Sequence, residues 1–360
     1  MATPHYQWLI TRPVSAGGLG VEELTEARSR RIEFALDDSA KASWTLPGRH
    51  PQTPLVDELA TDLVVSRDSV AIFRGRVNAS DDSVSPTVHT CTFSAADYRG
   101  VLDRRIIWPG STASYVQVDQ AAIAADLIND TQVLGPLGIQ TPTTPTGVKR
   151  DRTYESGASI GELIGNLGRC ENGFDWDISP GLVFRVWWPA RGTTTPSWVG
   201  EYGRNVSDVR RTVASGDYAN AIRFSGKDAV TPPPVTRVVT PGNEGRWEDQ
   251  RGNTDVTTTA QLNEQANGAI LAASVIQPSY SLTLVPGAWT PATVWLGDTI
   301  RLIVNSGRLA VDTTTRVVGV GIDIGESGEE TVSLQLGRYR WRLPQRLGDY
   351  AYRLDRLERR

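Results

Sequence analysis

The chain has 360 residues and a mass of 39.2 kDa, more than one hydrophobic core usually organises, so two or three domains are expected. Hydrophobic residues at 39% and charged residues at 22% lie near globular averages and exclude a disordered chain. The net charge of −4 argues against a general nucleic-acid binder, but it is uneven: residues 338–360 carry eight Arg against three acids, +5, which leaves −9 on the rest.

Short strands punctuated by Gly and Pro fill the first ninety residues. Ile32, Phe34 and Leu36 alternate with Glu33 and Ala35, the period of a half-buried strand. Pro47-Gly48 marks a turn, Leu63-Val64-Val65 is extended, and Arg67-Asp68-Ser69 is a compact hairpin loop before the run Val70 to Val77. Thr87 to Phe93 closes a block whose strand spacing implies a sandwich or barrel.

The period changes at Ser94. Ser94 and Asp97 form a capping-box-like start before Tyr98, Val101 and Leu102. A second helix begins near Asp119 with the stripe Ile123, Ala124, Leu127 and Ile128. A third opens on the capping box Ser159 to Glu162, carries Ile160, Leu163, Ile164 and Leu167, and ends at Asn172-Gly173. Strands Phe174–Ile178 and Leu182–Trp188 follow, joined by Ser179-Pro180-Gly181. Beyond Thr195 strands return at Ala221–Phe224, Val235–Val239 and Tyr280–Val285, interrupted by a helix that Thr258 and Gln261 cap and that Leu262, Ala266, Ala269, Ile270 and Ala273 stripe. The segments 232–234 and 242–252 look like surface loops.

An internal repeat connects the two ends. Asp62, a strand, a turn, Val70–Phe73, Gly75, Val77 and Thr87–Phe93 form one series; Asp298, a strand, the turn Asn305-Ser306-Gly307, Leu309–Val311, Gly319, Val320 and Thr331–Leu336 form the other. The expected fold is therefore mainly β with an α/β insert (α+β). It comprises a first β-barrel over 1–93, an insert over 94–190, a related second barrel over 191–337 with an inserted helix near 258–275, and a basic arm or helix over 338–360.

Catalytic patterns fail on context. Gly157-Ala158-Ser159-Ile160-Gly161 matches a nucleophile elbow, yet that arrangement needs its His after the Ser, and His5, His50 and His89 all precede it. Ser159 reads instead as a helix cap. Three isolated His offer no metal-ligand spacing, so neither a metal nor a cofactor is expected. Asp175 and Asp177, i and i+2 on a strand, share one face and could serve a sugar or an ion, although such pairs more often face solvent. Gly319-x-Gly321 with Gly325 lies inside alternating Val318, Val320, Ile322 and Ile324 and reads as a strand in close backbone contact. Cys91 and Cys170 read as small buried hydrophobes.

The eleven Trp raise a sugar-stacking possibility at Trp187, Trp188, Trp289 and Trp295. Trp187 and Trp188, adjacent on a strand, point to opposite faces; one is expected in the core and the other at an interface. No apolar run reaches the roughly 18 residues of a membrane span and no leader is evident, so folding in a cytoplasm without membrane insertion is expected. Tyr339, Trp341, Leu347, Tyr350, Leu354 and Leu357 intersperse with Arg in the tail, the last four at helical spacing, as in an arm that docks on a partner or on its own barrel.

Several stretches carry a family resemblance: Gly48 to Val77, with its strand pair ending Phe73-Arg74-Gly75-Arg76-Val77; Asp97 to Pro109; Gly173 to Ile178; Gly297 to Ile300; and Gly319 to Gly337. As an ordered set they resemble the minor tail proteins of long-tailed actinobacteriophages that form the tail-tip hub, related in fold to the central baseplate hub of contractile phages. The resemblance implies a virion protein, not an enzyme. It implies a homotrimer whose six barrels adapt a threefold tip to a sixfold tube, with a distal tail protein, the tape measure protein and further tip or fibre proteins as partners, and DNA only in passage through the channel. A carbohydrate-binding adhesin and a tail-associated cell-wall hydrolase are the competing functions.

Overall fold

The protein is described from a computed structural model covering residues 3–13, 17–18, 20–110, 112–142, 144–196, 198–213, 216, 218–226, 232–253, 256, 258–274 and 278–337. Alternation builds its first sheet. In β3 (Arg28–Ala35) Ile32 and Phe34 are buried, and in β4 (Lys41–Pro47) Ala42, Trp44 and Leu46 are, while their neighbours face outward. With β1 (Tyr6–Thr11), β2 (Gly20–Glu23), β5 (Asp62–Arg67), β6 (Val70–Val84) and β7 (His89–Asp97) these strands form an antiparallel array in the order β3-β4-β7-β6-β5-β1-β2. Asp68 and Ser69, both at positive φ (50° and 67°), make the tight turn between β5 and β6. Trp44 stacks on Phe93 at 5.5 Å and leans on Trp8 at 5.9 Å, so three aromatic rings fill the concave side.

The insert follows without a break. Asp97, the last residue of β7, caps α1 (Tyr98–Leu102) through the Gly100 N–H; Ser94 stays in the strand, so the helix starts three residues later than the Ser-x-x-Asp pattern suggested. β8 (Ala113–Asp119) runs into α2 (Gln120–Val133), whose cap is Asp119 and whose stripe Ile123, Ala124, Leu127 and Ile128 is fully buried. β9 (Lys149–Tyr154) pairs with β8, α3 (Ile160–Gly168) packs beside α2, and β10 (Asp175–Ile178) pairs with β11 (Phe184–Trp187). These elements share a core of their own.

The remaining strands are β12 (Trp198–Glu201), β13 (Val206–Thr212), β17 (Ser279–Leu284), β18 (Thr299–Ser306), β19 (Leu309–Ile324) and β20 (Glu330–Leu336). They repeat the first array. β13-β17-β20-β19-β18 has the pairings of β3-β4-β7-β6-β5, all antiparallel, and each array centres on a long strand, β6 of 15 residues and β19 of 16. The residue correspondence differs from the sequence pattern. Val77 pairs with Ala95 and Val317 with Leu336, each just before a bulge, so Gly319 and Val320 match Ala79 and Ser80, not Gly75 and Val77.

The two arrays meet directly, because β3 pairs with the distal half of β19 from Gly319↔Ala35 to Ile324↔Arg30. All these strands form one curled 13-stranded sheet over one continuous core. Across the same junction Glu330 takes Arg67 bidentately at 2.8 and 3.1 Å and accepts from the Tyr6 hydroxyl at 2.6 Å. Gly192 and Gly297, at φ of +83° and +91°, let the chain leaving the insert cross the start of β18; a Cβ on Gly192 would lie 2.3 Å from the Gly297 carbonyl carbon.

Between β13 and β17 sits a third layer. β14 (Ala221–Ser225) pairs with β15 (Val235–Val238) and, in parallel, with β16 (Glu248–Gly252), beneath α4 (Thr259–Ala273). The expected capping box of Thr258 and Gln261 is present. β16 corrects the expectation of a loop over 242–252.

Candidate assembly surfaces

The two strongest enzymatic patterns are occupied by structural bonds. Ser159 accepts from the Glu162 N–H at 3.4 Å and donates to the Asp103 carbonyl at 2.9 Å, so its hydroxyl serves the start of α3. Gly319 and Gly321 lie within β19, where a Cβ at 319 would press on Gln335.

Asp175 and Asp177 face arginines. Asp177 takes Arg185 bidentately, at 2.8 Å for each bond, and Arg191 at 2.7 Å; Asp175 accepts from the Arg191 backbone N–H at 2.6 Å and from the Arg316 guanidinium. Arg316 belongs to β19 and also donates to the Arg191 carbonyl at 2.8 Å, so this cluster fastens the insert to the second array. The adjoining cleft, lined by Phe34, Arg74, Asp97, Arg99 and Trp176 among others, has a volume of about 60 Å³, enough for a few waters and far below a sugar subsite. Arg99 spans the same seam, buried, with Nη1 on the Leu36 and Trp176 carbonyls at 3.3 and 3.4 Å and its guanidinium 4.2 Å from the Trp176 ring. Burial pushes the Asp97 carboxyl up to about 7 and that of Asp103 to about 6. Among the described residues no group of three His, Cys, Asp or Glu is placed to hold a metal ion, and no helix is long and apolar enough to cross a membrane. Cys91 and Cys170 are free and buried.

The tryptophans divide differently from expectation. Trp187 enters no core; it is half-buried, with Arg191 4.3 Å and Arg185 5.2 Å from its ring, while Trp188 is exposed just beyond the strand. Trp289 and Trp295 stack on each other at 5.9 Å with Trp289 fully buried, and Trp295 also meets Phe34, which removes both as sugar platforms. Tyr339, Trp341, Leu347, Tyr350, Leu354 and Leu357 lie outside the described residues.

What the chain offers outward is backbone edge. Apart from a bridge between Val206 and Tyr202, β13 pairs only with β17 among the described residues, and its Arg210, Arg211 and Thr212 are all exposed. β6 pairs with β5 as far as Arg76, but beyond Val77 it pairs only with β7 among the described residues, and Asn78 to Val84 stand exposed with Asp81 and Asp82 among them. Neither edge has an apolar alternation that sequence reading could find.

The architecture is a two-array curled sheet with a helical insert. Solved structures share it: the 43 kDa tail protein of prophage MuSo2 from Shewanella oneidensis (TM-score 0.66, 14% identity, 93% of this chain and 98% of that one), a tail protein from Neisseria meningitidis MC58 (0.62, 12%, 92% and 96%), and the prophage tail protein gp18 from Listeria monocytogenes EGD-e (0.58, 12%, 97% and 99%). The fold is thus that of phage tail proteins, matched over nearly the whole length of each. No protein-family model matches the chain, and no curated protein matches it in sequence.

Proposed function

We propose that the chain is a structural hub of the tail tip, or baseplate, of a long-tailed phage. Three copies form a ring in which the arrays over 1–93 and 191–337 alternate, so that a threefold tip meets a sixfold tail tube around a channel for the tape measure protein and, later, DNA. The insert over 94–190 faces outward, and the arm over 338–360 docks on the next tip protein. The observation that carries this reading is the duplication itself. Two arrays with one strand order, already joined edge to edge within the chain by β3 and β19, are two sixths of such a ring. The fold shared with the three tail proteins supports it, and the ion-paired Asp175 and Asp177 weigh against the hydrolase and sugar-binding alternatives.

Native mass measurement together with electron microscopy of labelled tails tests the proposal. The expected outcome is a particle of three times 39.2 kDa and label on the tail axis at the distal tip. A protein found only on peripheral fibres, or absent from the tail, would overturn it.

A further inference from the structure

The seam inside the chain specifies which surfaces join one copy to the next. Its two sides are the distal half of β19 and the edge of β3 that faces away from β4. The duplication gives each side a counterpart elsewhere in the chain.

The counterpart of distal β19 is distal β6, and backbone bonds fix the register. Val77 N donates to the Thr61 carbonyl at 2.9 Å and Val317 N to the Asp298 carbonyl at 2.8 Å; Leu59 N and Gly297 N donate to the carbonyls of Val77 and Val317, each at 2.8 Å. Both strands then bulge by one residue and continue against β7 or β20. Ile322 therefore corresponds to Asp82 and Asp323 to Ser83. The counterpart of β3 is β13: Ile32 lies opposite Ala42 in β4, Arg211 opposite Tyr280 in β17, and Ala42 and Tyr280 lie opposite the matched residues Ala95 and Leu336. In the formed seam β3 covers β19. In the duplicate, β13 and distal β6 have no such partner among the described residues; six strands lie between them and they are not paired with each other.

We infer that β13 of one copy adds antiparallel to the distal half of β6 of a second copy of this chain, in the register of the β3·β19 seam. The inference rests on the proposal of a ring-forming hub and names its joint. Transferring the register sets Arg211 opposite Asp82, Arg210 opposite Ser83 and Thr212 opposite Asp81. Arg211 and Asp82 then face each other as an opposite-charge pair with Arg210 and Asp81 flanking it; the existing seam also carries one such pair, one position along, where Arg31 lies opposite Asp323 and bonds it at 3.1 Å. Charged edge strands also serve to block aggregation. Blocking, however, does not require acids on one edge and bases on the other, with one of each directly opposed. The contact is head-to-tail, each copy offering a different edge to each neighbour, and such contacts propagate until they close.

The test reverses each edge in the full chain. D81R/D82R and R210D/R211D alter exposed side chains and are expected to keep the wild-type melting curve while weakening self-association at least about tenfold. D81R/D82R/R210D/R211D restores opposite signs across every joint and is expected to recover the wild-type mass. In parallel, D82C/R211C is expected to give intermolecular disulfides under oxidation, and S80C/R211C, two residues out of register, is not. Single-edge variants that keep the wild-type mass would overturn the joint while leaving the hub reading intact. A wild-type chain that stays monomeric, together with a D82C/R211C chain that forms no cross-link, would overturn it as well. The hub reading itself fails separately, on the position of the label in the tail.

Discussion

Two buried ionisable groups hold the layers together, and each makes a measurable claim. Glu330, 5% exposed, meets Arg67, 10% exposed, and the Tyr6 hydroxyl, which burial, and then its bond to Glu330, hold protonated well above the usual phenol range. Removing one partner of a buried pair leaves the other charge uncompensated, so Glu330→Ala is expected to lower the unfolding free energy by about 3–5 kcal/mol, read from the urea midpoint at unchanged slope. Asp97 acts in the other direction. Its carboxyl, desolvated and near Asp177, keeps its proton to about pH 7 in the folded chain and only to about pH 4 in the unfolded one. The stability it contributes is therefore complete below pH 4 and is lost as pH rises through 7. Asp97→Asn keeps the acceptor for Gly100 and cannot ionise. Its melting temperature relative to wild type is expected to rise between pH 5 and pH 8; a difference that does not change with pH would refute the assignment.

At the scale of elements, the α4 layer is tied to the insert by charge. Arg150 and Arg152 of β9, almost wholly buried, reach Glu264 at 3.1 and 3.0 Å, and Gln261 donates to the Asp151 carbonyl at 2.9 Å. Glu264→Ala is expected to loosen this layer before the rest, by about 1–3 kcal/mol, seen as faster amide exchange in α4 with little change in β4 or β7. The same strands show where sequence reading stops. β3, α2, α3 and α4 were legible because one face of each is apolar. β9 reads Lys-Arg-Asp-Arg-Thr-Tyr and β16 reads Glu-Asp-Gln-Arg-Gly, and both are strands because of what covers or pairs with them: Glu264 and the Glu171 carbonyl for the arginines of β9, and β14 for β16. Asp175 and Asp177 were visible as a pair on one face. That Arg191 and Arg316 would meet them depended on a crossing at Gly192 and Gly297 that no local pattern encodes.

For the whole molecule, the duplication is imperfect in one useful place. The first array closes β3 to β4 by a short turn, where the second inserts the β14–β16 sheet and α4 between β13 and β17. In the proposed ring this difference gives two periodicities. A partner bound to the shared sheet meets six similar units, and one bound to the α4 layer meets three. Averaged images of the proposed ring are expected to show six similar masses from the arrays and a threefold set from the α4 layers.

The seam between β3 and β19 also orders events in time. Distal β19 reads Val-Val-Gly-Val-Gly-Ile-Asp-Ile and is buried except at Asp323, whereas its duplicate in β6 reads Val-Asn-Ala-Ser-Asp-Asp-Ser-Val and is exposed beyond its first residue. An apolar edge must be covered as the chain folds, since water does not tolerate it; a charged one can wait. The β3·β19 seam is thus expected to close during folding at a rate salt hardly alters, and the proposed β13·β6 joint afterwards, on encounter, at a rate that added salt slows by screening the acids of one edge from the arginines of the other.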